Sequence, residues 1–351
     1  MFRINSFWEL ITYDIGIDLG TVNTIVYLRG KGIILSEPSV VAMNKRTKKV
    51  LAVGKEARQM IGRTPANVVA IRPLQDGVIS DFDTTQAMIH YLIEKTHMQC
   101  PKFFKISRPR VIVGVPSSVT EVERQAVLDA CKTAGARQVF VVEETMAAAI
   151  GSGLPVEEAS GNMIVDIGGG TSGIAVISLG DIVIDKTIKI GGDEMNQDIV
   201  NYAKQKYNML IGDRTAEDIK IALGSAAPLD EERHVDLQGR DLLTGLPKSV
   251  EISSIEVREA IMPTVDTITQ AVKDAVEETP PELVSDILIS GLHLSGGGAL
   301  IKNLSILWED KLKMPIKVVD EPLAAVARGT AEMLDHIELL EKIQKGWDEI
   351  S

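Results

Sequence analysis

The stretch IDLGTVN at residues 17–23 is echoed by VDIGGGTSG at residues 165–173. In each, an apolar run ends in an aspartate, glycine and threonine follow, and a second β-branched run begins. That is the pattern of a strand, a tight turn and a returning strand. Its recurrence about one domain later constrains the fold more than any other feature, because it implies two similar halves that each present a glycine turn. A polyphosphate needs backbone N–H groups that approach it without a Cβ in the way, and glycines give that access. Gly168, Gly169 and Gly170 supply such groups in the second turn, where Thr171 adds a hydroxyl; Gly20 and Thr21, with Val22 and Asn23, do so in the first. Asp18 and Asp166 precede the turns at matching positions, which suits a hard cation such as Mg²⁺, keeping several waters, set among carboxylates and phosphates. The plainer alternative is a pair of structural hairpins whose glycines serve positive φ; the duplication weighs against it. Neither the P-loop spelling nor GxGxxG occurs, so nicotinamide redox chemistry has no support.

At 351 residues, with 45% hydrophobic and 25% charged side chains, the chain reads as a soluble globular protein of two domains. A formal net charge of -12 argues against nucleic acid as a partner. Cys100 and Cys131 have no metal-type spacing and fit a reduced, cytoplasmic setting. The opening MFRINSFWELITYDIGI, interrupted by Glu9, is a poor secretory signal. No window reaches the roughly 18 uninterrupted apolar residues of a spanning helix, so membrane contact is expected from one side. The five histidines form no HExxH, and no GxSxG elbow exists.

Strands are expected at IGIDL, TIVYL and IILSEPSVVAM, then helices at TTQAMIHYLIEKTH and EVERQAVLDACKTAG about the strand RVIVGVP. Thr120 and Glu123 form a capping box for the second helix. Strand VFVV and helix TMAAAIGSG close the first half. The second half restarts with three strands from Asn162, continues through helices near 194–208 and 215–224, and carries a polar insert around 228–250. Pro263 is expected to kink the helix at 254–278 or to mark a first turn. The strand GLHLSGG, a helix, the strand IKVV and an amphipathic helix over 323–342 follow, the last returning to the first domain. The expectation is an α/β chain of two similar three-layer domains, each with a smaller subdomain, around an interdomain cleft. Domain I would take residues 1–150 and 323–351 with an insert about 36–80; domain II would take 151–322 with an insert about 225–252.

Three other stretches carry chemistry. In LSGGGALIKNL, Gly296 and Gly297 would let a base or ribose lie against the backbone, at the mouth of a helix whose dipole favours phosphates; a tightly packed helix entrance is the alternative. Glu217 and Lys220 in TAEDIK share a helix face, where a surface ion pair is the plain account. Glu143 and Glu144 follow a strand and open a small-residue helix; Glu144 is placed to orient a water against a terminal phosphate, or both simply favour the helix N-terminus. Separately, Phe2, Phe7 and Trp8 near the start, and Phe103 and Phe104 among Lys102, Lys105, Arg108 and Arg110, suit a bilayer interface with anionic lipid; the plainer account is that Phe103 and Phe104 finish a core and the cations are simply solvated.

Together DLGTVN, DIGGGTSG, EETMAAAIG, LSGGGALIKNL and EPLAAVARG resemble, in order and spacing, the two phosphate motifs, the connecting motifs and the adenosine motif of the actin, Hsp70 and sugar kinase superfamily. Within it, SEPSVVA, GRTPANVVAIRPLQDGVISDF, GLPVEEASGNMIVDIGGG and TPPELVSDI resemble the MreB family of bacterial actin homologues from about residue 12 to 335. The resemblance implies an actin-like fold binding ATP or ADP with Mg²⁺. Asp18 and Asp166 would arrange the metal and its waters. Thr21, Asn23, Gly169, Gly170 and Thr171 would hold phosphates. Glu144 and Thr171 would position the hydrolytic water, Glu217 and Lys220 would meet ribose and adenine, and Gly296, Gly297, Gly298 and Ala299 would line the nucleoside side. It also implies a homopolymer of antiparallel paired protofilaments on the inner membrane surface, working with cell-wall elongation proteins. Two positions depart from the family pattern: Thr145 stands where EEPMAAA has proline, and Gly173 where glutamate is common. A sugar kinase would need an acidic pair for its acceptor hydroxyl, which is not evident, and a chaperone would need a peptide-binding domain for which the chain leaves no room.

Overall fold

The computed structural model describes residues 13–99 and 108–336. Two compact units are present, one formed by the chain up to Leu154 together with residues from Ala324 on, the other by Pro155–Leu323. The first unit holds a five-stranded sheet in the order Gly32–Pro38, Asn23–Leu28, Asp14–Leu19, Arg110–Val115, Gln138–Glu143. The first three form an antiparallel meander and the last two add in parallel. The second unit repeats the plan with Asp181–Ile188, Ser172–Ser178, Asn162–Ile167, Leu292–Ser295 and Ile316–Val318. Strand order and direction therefore match in the two halves, as the duplicated turns predict. Arg110–Val115 and Asn162–Ile167 are buried at every position, the environment that a near-continuous apolar run requires.

The predicted elements are present with instructive shifts. IILSEPSVVAM breaks into Gly32–Pro38 and Val41–Asn44, which belong to different sheets. Pro38 cannot donate to a ladder and ends the first; Val41–Asn44 becomes the centre of a small sheet with Val50–Val53 and Val68–Ile71. The polar insert is a hairpin, His234–Asp241 with Pro247–Ser253. Thr120 and Glu123 form the expected reciprocal cap of Glu121–Thr133. Pro263 lies inside one 25-residue helix, Ser254–Glu278, rather than in a first turn. The last described helix is Ala325–Met333, followed by a 3₁₀ turn, Leu334–His336.

That helix covers one face of the first unit's sheet. Met333 and Leu334 pack with Ile112 and Phe140 into a separate small core. The approach is set by backbone. A Cβ at Gly329 would fall on the carbonyl of Ala147, one at Gly151 on the carbonyl of Ala325, and one at Gly16 on the hydroxyl of Thr330. Arg328 Nε adds a hydrogen bond to the Gly151 carbonyl. The helices Glu144–Gly151 and Ala325–Met333 are thus held side by side at backbone contact. Gly329→Ala is expected to lower stability by about 1 to 3 kcal/mol, the usual cost of overpacking; urea unfolding at parental midpoint and slope would contradict this backbone contact.

Candidate nucleotide site

In the first unit the turn between Leu19 and Asn23 is braced by groups from well downstream. Ser39 Oγ donates to the Gly20 carbonyl at 2.6 Å and lies 2.9 Å from Thr24 Oγ1, while Ser39 N donates to the Val22 carbonyl at 2.9 Å. The Gly77 amide donates to the buried Thr21 hydroxyl at 3.2 Å. A Cβ on Gly20 would lie 2.5 Å from the carbonyl oxygen of Asn23, so the turn's tightness, not φ, demands glycine there. Asp18 is the penultimate residue of its strand, in register with Gly114 on the parallel neighbour. Gly114 separates it from Glu144: a Cβ at Gly114 would lie 3.4 Å from Glu144 Cγ. The structure therefore gathers Asp18, Glu144 and the first turn at the carboxyl ends of the same strands.

In the second unit the helix Gly192–Tyr207 holds the turn. Gly192 N donates to the Gly168 carbonyl at 3.0 Å and Asp193 N to the Gly169 carbonyl at 2.8 Å. The first N–H groups of a helix have no partner within it, and here two are spent on the turn. In a trans peptide the carbonyl and the following N–H point in opposite directions, so the amides of Gly169 and Gly170 are directed away from this helix. Lys220 Nζ in turn donates to the Gly192 carbonyl at 2.5 Å. The structure thus links Lys220, predicted at the ribose and adenine, to the second turn through the backbone; Glu217 is half-buried one turn earlier on the same helix.

Asp166, again penultimate in its strand, lies opposite Gly173 and Ser295. It is 8% exposed, and its Oδ1 has no hydrogen-bond partner. Burial raises its pKa from 3.8 to about 6, opposed by a hydrogen bond from Ser295. An orphaned, buried hard-oxygen ligand fits a Mg²⁺ site, either directly or through water. No group of three or more His, Cys, Asp or Glu side chains suited to a metal occurs among the described residues. Thr171 is buried and its carbonyl accepts from Gly168 N at 2.8 Å.

The third glycine run corrects an expectation. Gly297–Leu300 is a 3₁₀ turn, and the α-helix starts only at Leu304, so no α-helical N-terminus stands at the glycines. Gly296, at φ +79°, and Gly298 instead press on Ile167: a Cβ at either would clash with it. Only Gly297 of the three is exposed; Ala299 is buried. The run thus packs against the strand that ends in the second turn. Thr145, at the departure from the family pattern, is buried with an unpartnered hydroxyl in the first turn of its helix. Ser39, Gly77, Ser295 and the Gly191–Gly192 pair were not singled out from sequence. The last two had a local signal, a serine before the glycine run and a second glycine pair after a strand. Phe2, Phe7, Trp8, Phe103 and Phe104 lie outside the described residues.

Residues 12–342 match the family model for the MreB/Mbl protein. The chain belongs to the MreB/Mbl family. The cell shape-determining protein Mbl of Bacillus cereus is 48% identical over 94% of this chain and 98% of its own length. MreB of Escherichia coli strain K12 is 46% identical over 96% and 97%. Among solved structures, MreB5 of Spiroplasma citri bound to ADP superposes with a TM-score of 0.88 at 38% identity, covering 95% of this chain and 98% of that one, and its AMPPNP complex gives the same score. The fold is accordingly the actin-like α/β fold of two similar domains, and the chain is an actin-like protein related to MreB and Mbl.

Because the folded state raises the Asp166 pKa, that group favours folding most at low pH, and the contribution is lost as pH rises from about 4 through about 6. Asp166→Asn, without nucleotide or Mg²⁺, is therefore expected to be more stable than the parent by about 1 to 3 kcal/mol at pH 7.5 and nearly equal to it at pH 4. Urea titrations at both pH values test this; an unchanged difference between them would contradict a buried, unpaired carboxylate.

Proposed function

We propose that the chain binds ATP and Mg²⁺ through its two glycine turns, hydrolyses the nucleotide, and assembles into cytoskeletal filaments that maintain cell shape. The carrying observation is the buried Asp166 oxygen without a partner, on the strand that leads into a turn whose Gly169 and Gly170 amides point away from the helix Gly192–Tyr207. Asp18 stands at the matching place by the first turn. Family membership supports the same reading, as do the relatives' names, which specify ADP and AMPPNP for MreB5 and cell shape determination for MreB and Mbl.

Thr21, Asn23, Gly169, Gly170 and Thr171 hold phosphates, with Gly20, Val22 and Gly168 shaping the turns. Asp18 and Asp166 hold Mg²⁺ through water; when bound, the ion neutralises phosphate charge. Glu144 and Thr171 orient the attacking water. Gly296 to Ala299 line the nucleoside side, with Glu217 and Lys220 at the ribose and base. Lys220 also keeps the Gly192 carbonyl in place, so nucleoside contact and turn geometry share one side chain. Filaments are antiparallel protofilament pairs lying peripherally on the inner face of the cell membrane. They are anchored by Phe2, Phe7, Trp8, Phe103 and Phe104 and coupled to wall-elongation proteins. No described helix is long and apolar enough to cross a membrane.

Electron microscopy of the purified chain with ATP and Mg²⁺, over a range of concentration and with lipid present, is expected to show filaments; persistent monomers would point to a non-polymerising ATPase. Glu144→Ala is expected to slow phosphate release by about ten- to a thousandfold at nearly unchanged nucleotide affinity. Equal release by variant and parent would remove Glu144 from the hydrolytic step.

A further inference from the structure

In the second unit, a stretch without helix or strand runs from Gly224 to Arg233, between the helix that carries Glu217 and Lys220 and the hairpin that opens at His234. Its start is sewn to the chain that leaves the third glycine run. The Ala226 amide donates to the Lys302 carbonyl at 2.7 Å, and the Lys302 amide to the Gly224 carbonyl at 3.4 Å. Ser225 and Lys302 thus form an isolated parallel bridge, next to which Asn303 Nδ2 donates to the Pro228 carbonyl at 2.6 Å. Gly224 ends the helix Asp213–Leu223, and a Cβ there would lie 3.4 Å from Ile301 Cδ1. The helix with Glu217 and Lys220 and the turn Gly297–Leu300 are therefore joined through a few backbone groups.

A guanidinium lies against this seam. Arg258, in the second turn of Ser254–Glu278, donates from Nε to the hydroxyl of fully buried Ser225 at 3.1 Å and from NH2 to Glu232 Oε1 at 2.6 Å. Its side chain is 13% exposed. Glu232 also accepts from the Leu229 amide at 3.3 Å and from the Ser254 hydroxyl. The Ser254 hydroxyl and then Arg258 hold the Glu232 carboxyl down at about 2, so it stays charged. One side chain thus ties the beginning of the irregular stretch to its end. A lone bridge with one long hydrogen bond is weak by itself, whereas bonds from an ionised donor are stronger and a guanidinium fork spans two acceptors at fixed angles. Anchoring the hairpin would need only a cation at Glu232. The bond to Ser225 reaches the other way, to the seam.

We propose that Arg258 is a positioning residue for the nucleoside: by joining Ser225 to Glu232 it holds Gly224 and Ala226 against Lys302, and so fixes the gap between the helix of Glu217 and Lys220 and the glycine run. Arg258 touches no part of the ligand in this role; it acts through Ser225. The inference rests on the nucleoside placement proposed above and adds what sets its width. The phosphate turn has braces of its own, the amides of Gly192 and Asp193, so loss of Arg258 bears on the nucleoside and not on the phosphates.

Calorimetric titration of the full chain in Mg²⁺ with ADP, and separately with inorganic pyrophosphate, tests it. Arg258→Met is expected to bind ADP roughly ten- to a hundredfold more weakly than the parent, the range for groups that orient a binding residue, with pyrophosphate affinity unchanged. Ser225→Ala leaves the pair of Arg258 with Glu232 in place and is expected to lose ADP affinity in the same direction; it carries the test alone should Arg258→Met fail to fold. Arg258→Lys keeps a cation at Glu232 but lacks the fork, and is expected to stay weak for ADP. Thermal unfolding without nucleotide shows which variants are folded. Parental ADP affinity in Ser225→Ala or in Arg258→Met would overturn the inference. Rescue by lysine would do the same, reducing Arg258 to a charge partner of Glu232. Equal losses for ADP and pyrophosphate would also overturn it, as general damage to the unit. A parent that binds pyrophosphate as tightly as ADP keeps the phosphate turns and removes this reading. A parent that binds neither removes both.

Discussion

Two amide hydrogen bonds, from Gly192 and Asp193 to the carbonyls of Gly168 and Gly169, fix the part of the second unit on which its chemistry depends. They satisfy donors that a helix start always leaves over, and they orient two peptide planes at once. Since the same planes carry the amides of Gly169 and Gly170, donor direction in the turn is decided by a helix that begins some twenty residues later in the chain. A side chain on Gly191 would press on both turn carbonyls, at 2.7 Å from each. The turn is thus rigid through backbone alone, and rigid donors lose little reorganisation energy when charge is placed before them.

The first unit reaches a comparable end by other means. Among the described residues no helix donates to its glycine carbonyl in the same manner; Ser39 and the Gly77 amide supply the braces. The duplicated strand plan therefore sets the position of each turn, while local side chains set its stiffness. Asp18 and Asp166 occupy equivalent places but different environments, half-buried in one case and nearly fully buried in the other. Of the two, Asp166 is the one whose burial raises its affinity for a proton.

The strand plan and the two turns were legible because period and punctuation are local: an apolar run closing in Asp and Gly leaves few alternatives. Thr120 with Glu123 was legible for the same reason. The braces were not, since Ser39, Gly77 and Ser295 act on residues far away in sequence and resemble ordinary loop residues in isolation. Likewise GGGAL after a strand reads as a helix entrance, whereas close contact with Ile167 tightens it into a 3₁₀ turn. Arg110 misleads in a characteristic way: among prolines and cations it looks solvated, and only pairing with Asp14 on the next strand turns it inward.

The route of the chain has a consequence for its biosynthesis. The second unit is one uninterrupted segment, whereas the first is completed only by residues from Ala324 on. Until Ala325–Met333 leaves the ribosome, Ile112, Phe140 and the small residues of Glu144–Gly151 lack the part of their cover that this helix and Leu334 supply. The half that is begun first is thus finished last, and it passes the synthesis of the whole intervening unit with an apolar face open to chaperones and to neighbouring chains.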